Sequence, residues 1–381
     1  MKIGILTQPL HNNYGGILQA YALQKVLKDM GHEVWTVDSQ FEKKSFLTFL
    51  IILFKRFVLK YILNRKDIKT LIPIKPNTSE KEFISQHLTL FIKENINTTE
   101  ETTLNNLEKL VEEYQFKAMV VGSDQVWRPK YSPKLDAYFL KPLTMQNIKR
   151  IAYAASFGTD CWEFSKSQTK QYSELLKIFD LITVREDSAV KLCNEKFKAP
   201  ATRVLDPTLL LTKENYIKLI SNNISDKSKD YILIYALDAS RVLESRIKKI
   251  FNELNCEIKI IEPEKPLDSD FRENLNDYIL PPVELWVHDF FNAKYVITDS
   301  FHGSVFSILF HKPFLSLGNV KRGLSRFESL LNLLKLENRL ILNANEITEE
   351  KITEPINFEY VDDIINTERA KAINMLSLIL N

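Results

Sequence analysis

The sequence predicts an α/β protein made of two doubly wound, Rossmann-like domains facing each other across a cleft. Three observations carry this. Short apolar, β-branched runs alternate with longer helical patterns, the signature of parallel sheets covered by helices. The alternation stops and restarts across a polar stretch, 221–229, that reads as part of a linker. The length of 381 residues also exceeds one ordinary hydrophobic core and suits two. The expected division is a first domain over 1–205, a linker over 206–228 and a second domain over 229–381.

The first apolar run, 2–8, leads through a loop into a helix whose apolar side carries Ile17, Leu18, Tyr21, Ala22, Val26 and Leu27. Gly31 stands where such a helix ends, at the position after its cap. A second strand follows over 32–38, completing a βαβ opening. Further strands are expected at 118–121, 151–155, 181–184 and 203–205. Leu104, Leu107, Leu110 and Val111 recur at helical spacing and read as core. The second series should contribute strands at 231–236, 257–261, 295–298 and 313–317. In such sheets ligands bind beyond the carboxyl ends of the strands, so the loops there are where chemistry is sought.

Composition excludes some function classes. The chain is 45% apolar and 26% charged, as folded proteins are. Its 51 basic and 49 acidic residues nearly cancel, so no nucleic-acid partner is indicated. Cys161, Cys193 and Cys256 are scattered, fit no metal spacing and suit a reducing cytosol, each as a small buried hydrophobe. The first residues run straight into a strand without a signal-peptide pattern, which points to the cytoplasm. The segment FLTFLIILFKRFVLKYIL (46–63) is very apolar but holds Lys55, Arg56 and Lys60. Those cations make a membrane span a poor reading. A basic amphipathic helix on the inner face of the membrane is one expectation. A helix docked on the protein body or on a second subunit is the other.

Glycine is scarce, nine in all, so its placement carries weight. Gly15 and Gly16 lie in HNNYGGILQ (11–19), at a strand-to-helix turn where backbone amides can approach an anion. A plain tight turn is the alternative. Asn12, Asn13 and Gln19 add polar groups to that loop. The next strand ends in VVGSDQVWR (120–128), where Ser123, Asp124 and Gln125 can bond hydroxyls and the Trp127 indole suits stacking on a sugar ring. The bland alternative is a capped helix start. Arg185 leaves strand 181–184, a placement that suits bidentate capture of phosphate or carboxylate. A surface pair with Glu186 or Asp187 is its alternative.

The sharpest site is YVITDSFHGSVFS (295–307), a buried strand running into a turn that holds His302, with a helix following. Of six histidines in the chain, His302 alone sits at a strand end among Asp299, Ser300 and Ser304. A histidine there can act as general acid or base, or be a satisfied structural group. No other histidine or cysteine has ligand spacing to it, so no metal is expected. Asp268 and Asp270 spell a metal-binding DxD but fall in a polar loop, away from any strand end.

The blocks NNYGG (12–16), VGSDQVW (121–127), YAASFG (153–158), VRE (184–186), VLDPT (204–208) and DSFHG (299–303) together resemble the polysaccharide pyruvyl transferases, in order and spacing, over roughly residues 1–330. The resemblance implies a GT-B-like fold, phosphoenolpyruvate as donor substrate with no separate cofactor, and a glycan or lipid-linked oligosaccharide of the cell envelope as acceptor. It implies a pyruvate ketal as product. It places the catalytic histidine at His302 and a donor-binding arginine at Arg185, with Ser300, Gly303 and Ser304 beside the donor. Many members carry an arginine where Ser300 stands. Arg322 and Arg326, in a basic loop after strand 313–317, are the candidate replacements, with Lys321 beside them. Asp124 is a candidate base, and Asn12, Asn13, Gly15, Gly16, Gln19, Ser123, Gln125 and Trp127 form the candidate acceptor side. Two rivals stand beside this: a nucleotide-sugar glycosyltransferase of the same fold, and a non-catalytic glycan-binding component of envelope assembly.

Overall fold

A computed structural model of the chain describes residues 1–11, 13–39, 46–62, 76–132, 134–220, 230–237, 243–244, 247–248, 256–261, 274–318 and 323–381. Asn12, the polar stretch 221–229, Asp268, Asp270, Lys321 and Arg322 lie outside the described residues.

Two parallel sheets organise the chain. The first contains β1 (Lys2–Leu6), β2 (Glu33–Thr36), β3 (Ala118–Val121), β4 (Lys149–Ala155), β5 (Leu181–Val184) and β6 (Thr202–Arg203) in the order β2-β1-β3-β4-β5-β6. The second contains β7 (Tyr231–Tyr235), β8 (Glu257–Ile260), β9 (Tyr295–Thr298), β10 (Phe314–Leu317) and β11 (Leu340–Ile341) in the order β11-β10-β9-β7-β8. Every pairing is parallel, with Ile3 beside Ala118 in the first sheet and Leu233 beside Val296 in the second. β3, β7 and β9 are buried along their whole length, which is why they read as unbroken apolar runs.

In each sheet the chain moves outward from its first strand, then returns to that strand's other side. The order therefore reverses between β1 and β3, and again between β7 and β9. A crevice opens at the carboxyl ends of such strand pairs. The loops after β1, β3 and β9 are the ones the sequence singled out.

Helix α1 (Tyr14–Asp29) joins the two halves. Asn13 caps it by accepting from the Gly16 amide. Its Ile17, Leu18 and Leu23 belong to a core shared with Trp286, Phe290 and Phe306 of the second half. Tyr14 stacks on Trp286 at 5.8 Å and donates its hydroxyl to the Pro281 carbonyl at 2.7 Å. The last helix, Phe358–Leu380, returns to the first half: Arg369 Nε donates to the Leu209 carbonyl at 2.9 Å, and Glu368 faces Arg203 at 3.7 Å. Of the cysteines, Cys193 is buried and Cys256 half-buried. Cys161 is exposed, against expectation, because it sits in the irregular loop after β4 rather than on an element's inner face.

Candidate active site

Four loops at strand carboxyl ends meet where the two halves join. The loop after β3 brings Ser123 and Asp124, β5 delivers Arg185 and Glu186, and the chain beyond β6 delivers Asp206. The loop after β9 delivers His302. It lies in the first turn of the helix Phe301–Leu309 rather than in the turn before it, because Ser300 is already the cap, accepting from the Gly303 amide.

Asp206 is the hub. One carboxylate oxygen accepts from Arg185 Nη1 at 2.7 Å and from the Ser123 hydroxyl at 3.1 Å. The other accepts from the Thr208 amide at 3.0 Å and its hydroxyl at 2.7 Å. His302 Nε2 lies 3.7 Å from the same oxygen that Arg185 holds, an ion-pair distance longer than a hydrogen bond. Arg185 reaches on to Asp124 at 3.2 Å. The result is a buried charge chain, His302, Asp206, Arg185, Asp124, drawn from both halves.

Burial alone would raise both carboxylates. At Asp206 the contacts to His302, Arg185 and Thr208 outweigh it and hold the group well below the usual carboxylate range. At Asp124 the charges of Arg185, His302 and Arg326 do the same, more weakly. Burial likewise opposes the Arg185 cation, yet Asp206 and Asp124 prevail and strengthen it. Glu186 differs: burial dominates and pushes it up despite Arg185. Its Oε1 accepts from the Ser156 hydroxyl and from the Phe157 and Gly158 amides at 2.8–3.0 Å, and its Oε2 has no partner.

A second buried cation stands close by. Arg326, in the helix Ser325–Leu334, leans on the Phe301 ring at 5.6 Å, the same ring that Arg185 overlies at 4.6 Å. Burial and then the Arg185 charge push Arg326 down to about 10, against the opposing pull of Asp124 and Glu186. The two guanidinium groups thus share one aromatic neighbour, and paired cations of this kind suit an anionic group. Arg185 Nε and His302 Nε2 are buried and make no hydrogen bond.

The structure gathers Ser123, Asp124, Arg185, His302 and Arg326 at one place. Gly15 joins them for an unforeseen reason. A Cβ at Gly15 would overlap the His302 imidazole, so the glycine admits the histidine ring of the other half, and the plain-turn and anion-turn readings both miss this. Gln19 is also internal: it donates to the Thr7 hydroxyl at 2.9 Å and accepts from the Ser123 amide at 3.0 Å, tying the loop after β1 to the loop after β3.

Other candidates are tied into the fold. Trp127 cannot stack on a sugar. It is fully buried against Phe139 at 5.1 Å, and its indole donates to the Tyr138 carbonyl. Ser304 turns its hydroxyl inward to Ser316 at 2.6 Å. Gly303 gives room to Thr298, whose hydroxyl a Cβ would strike. Ser300 uses its hydroxyl as the helix cap. Asn13 is exposed and caps α1, with Gly16 as the donor it captures. Gln125 accepts from Arg128 Nη1 at 3.1 Å, outside the charge chain. Asp206 and Glu186 were given no role from sequence. The signal at Asp206 was local but weak: an aspartate before proline with threonine two residues on, the pattern of a side chain bonding the backbone ahead of it. Among the described residues no group of three His, Cys, Asp or Glu side chains is placed to hold a metal ion.

The sequence profile of the polysaccharide pyruvyl transferases matches residues 13–321, which include β2 to β10 and every member of the charge chain. The chain belongs to the polysaccharide pyruvyl transferase family. A family member of this kind is a transferase of polysaccharide biosynthesis. Among curated proteins none matches the sequence significantly. Solved structures share the architecture at low identity. The S. aureus MnaA–UDP co-structure is 12% identical with a TM-score of 0.55, over 100% of this chain and 97% of that one. The Neisseria meningitidis UDP-GlcNAc 2-epimerase bound to UDP-GlcNAc is 15% identical with a TM-score of 0.53, over 100% of both chains. These likenesses establish a GT-B-like fold of two parallel-sheet α/β domains.

Proposed function

We propose that this pyruvyl transferase takes its three-carbon unit from phosphoenolpyruvate and bridges two hydroxyls of a sugar in an envelope polysaccharide precursor, releasing phosphate. The observation that carries this reading is the buried chain His302, Asp206, Arg185, Asp124 with Arg326 beside it: a proton carrier next to paired cations. In the scheme the imidazolium of His302 gives its proton to the methylene carbon of the enol phosphate. The neighbouring carbon becomes cationic and a sugar hydroxyl adds to it, losing its proton. Phosphate then departs and a second hydroxyl closes the ketal.

Asp206, held ionised 3.7 Å from Nε2, supplies the counter-charge for the imidazolium and fixes the ring against Gly15. Arg185 and Arg326 hold the donor's phosphate or carboxylate and offset the charge that develops on departure. Arg326 in this reading supplies the second cation that Ser300 lacks. Asp124, tied to Arg185 at 3.2 Å and held ionised, is a weak proton acceptor, so its role becomes orienting Arg185. A donor of this kind places the enzyme in the cytoplasm, with a glycan or lipid-linked oligosaccharide as acceptor.

The test is to incubate the purified protein with phosphoenolpyruvate and a panel of lipid-linked and nitrophenyl glycosides. Phosphate release that depends on the glycoside, with a product carrying a pyruvate ketal by mass, is expected. Thermal stabilisation by a UDP-sugar with none by phosphoenolpyruvate, and no phosphate release, would instead assign a nucleotide-sugar glycosyltransferase.

A further inference from the structure

The segment after β2 leaves an apolar face outside the fold. Helix α2 (Phe46–Phe57) continues through Val58–Ile62 in a wider helical turn. Leu50, Ile51, Phe54, Phe57, Tyr61 and Ile62 are all exposed there, Phe54 by 70% and Ile51 by 61%. Leu50, Phe54, Phe57 and Tyr61 follow one another at three- and four-residue steps, so they line one face. The Phe57 and Tyr61 rings touch at 5.1 Å, and Lys60 lies over Tyr61. Among the described residues no other element packs extensively on this helix.

We propose that this face seats the protein on an anionic lipid surface. Charge selects that occupant. Residues 43–66 hold seven Lys or Arg and no Asp or Glu, a composition that anionic headgroups attract. A second copy is disfavoured by the same count, because a two-fold pairing would bring the Lys55, Arg56 and Lys60 sets together with no acidic residue of the segment to offset them. No described helix is long and apolar enough to cross a membrane. Lysine and arginine stems can instead lie along the apolar side and lift their charges to the headgroups while the aromatic rings enter the boundary. β2 runs parallel to β1 and β3, so the chain leaves β2 at the sheet edge where Ser123 and Asp124 lie.

The experiment is co-sedimentation of the full chain with vesicles of pure phosphatidylcholine, or of phosphatidylcholine with phosphatidylglycerol, at low and high salt. Binding to the anionic vesicles should exceed binding to the neutral ones and weaken with salt. The double variant Ile51→Glu, Phe54→Glu should lose at least about tenfold in partitioning, since two apolar contacts become charges of the wrong sign. Lys55→Glu with Arg56→Glu should erase most of the preference for anionic vesicles. All the substituted side chains are exposed or half-exposed, so unchanged circular dichroism and melting temperature serve as the folding control. Equal binding to both vesicle types, or binding to neither, overturns the proposal. A concentration-dependent dimer that Ile51→Glu, Phe54→Glu disrupts, without vesicle binding by the parent, assigns the face to a second copy.

Discussion

Replacing Asp206 by Asn removes one charge, and almost no volume, from the centre of the site. The Asp206 side chain is fully buried and Arg185 beside it is 2% exposed, so solvent cannot compensate. The Asn carbonyl can still accept from Thr208, but its amide would present hydrogens to Arg185 Nη1, now 2.7 Å away. Arg185 is left with Asp124 alone, and His302 loses its nearest counter-charge. Breaking a buried ion pair on one side costs about 3–5 kcal/mol. Ser123→Ala, which deletes the 3.1 Å bond to the same oxygen and the 2.6 Å bond from the Asp124 amide, should cost about 2 kcal/mol. Guanidinium unfolding at pH 7, followed by tryptophan fluorescence, compares the two. The pH dependence gives an independent check. A carboxylate whose folded-state value is depressed contributes stability that is present above the ordinary range, about pH 4, and is lost as pH falls toward the folded value. Asp206→Asn lacks that contribution, so the gap between parent and variant should narrow below about pH 4. A variant no less stable than Ser123→Ala, or a gap that stays constant down to pH 3, would refute the assignment of Asp206 as the hub.

Gly15→Ala places a methyl on the His302 ring, so activity should fall by about tenfold or more through misplacement of the ring. Circular dichroism should be unchanged, and a fully active variant would show that the ring is not held there. Glu186→Gln should gain stability relative to the parent as pH rises. A carboxyl whose folded value is raised stabilises below its ordinary value and loses that contribution as pH climbs through the folded one, while glutamine does not titrate. Melting temperatures at pH 5 and pH 8 decide this, and a difference independent of pH contradicts it. Trp127→Ala should cost about 3–5 kcal/mol of stability. A variant of parental stability with a raised acceptor KM would restore the sugar-stacking expectation.

The strands were legible where burial was complete. β3, β7 and β9 are apolar on both faces, so they appear in the sequence as uninterrupted runs. β11 was missed because its two residues exist as a strand only through pairing with Ser316 and Leu317, a contact no local pattern records. Asn13 as a cap was visible because its partner, Gly16, lies three residues on. Long-range contacts were not. The Trp127 indole follows a polar trio and looks like a cleft residue, yet Phe139 and Phe157 enclose it from further along the chain. Gly15 looks like half of an anion-binding turn, and only the fold brings His302 against it. Asp206 takes Ser123, Arg185 and His302 as partners from three separate loops. It was therefore visible only as part of the VLDPT block, while His302 stood out because a strand end, a cap and a glycine lie beside it in sequence.

The central claim is that His302, held by Asp206, delivers the proton that starts pyruvyl transfer. The most direct measurement is the single-turnover rate of phosphate release from phosphoenolpyruvate, in the presence of an accepted glycoside, for the parent and for His302→Asn. The account predicts a loss of about a hundred- to ten-thousand-fold, as expected for removal of a general acid, with phosphoenolpyruvate still stabilising the variant against heat through Arg185 and Arg326. Release at the parental rate by His302→Asn would contradict it.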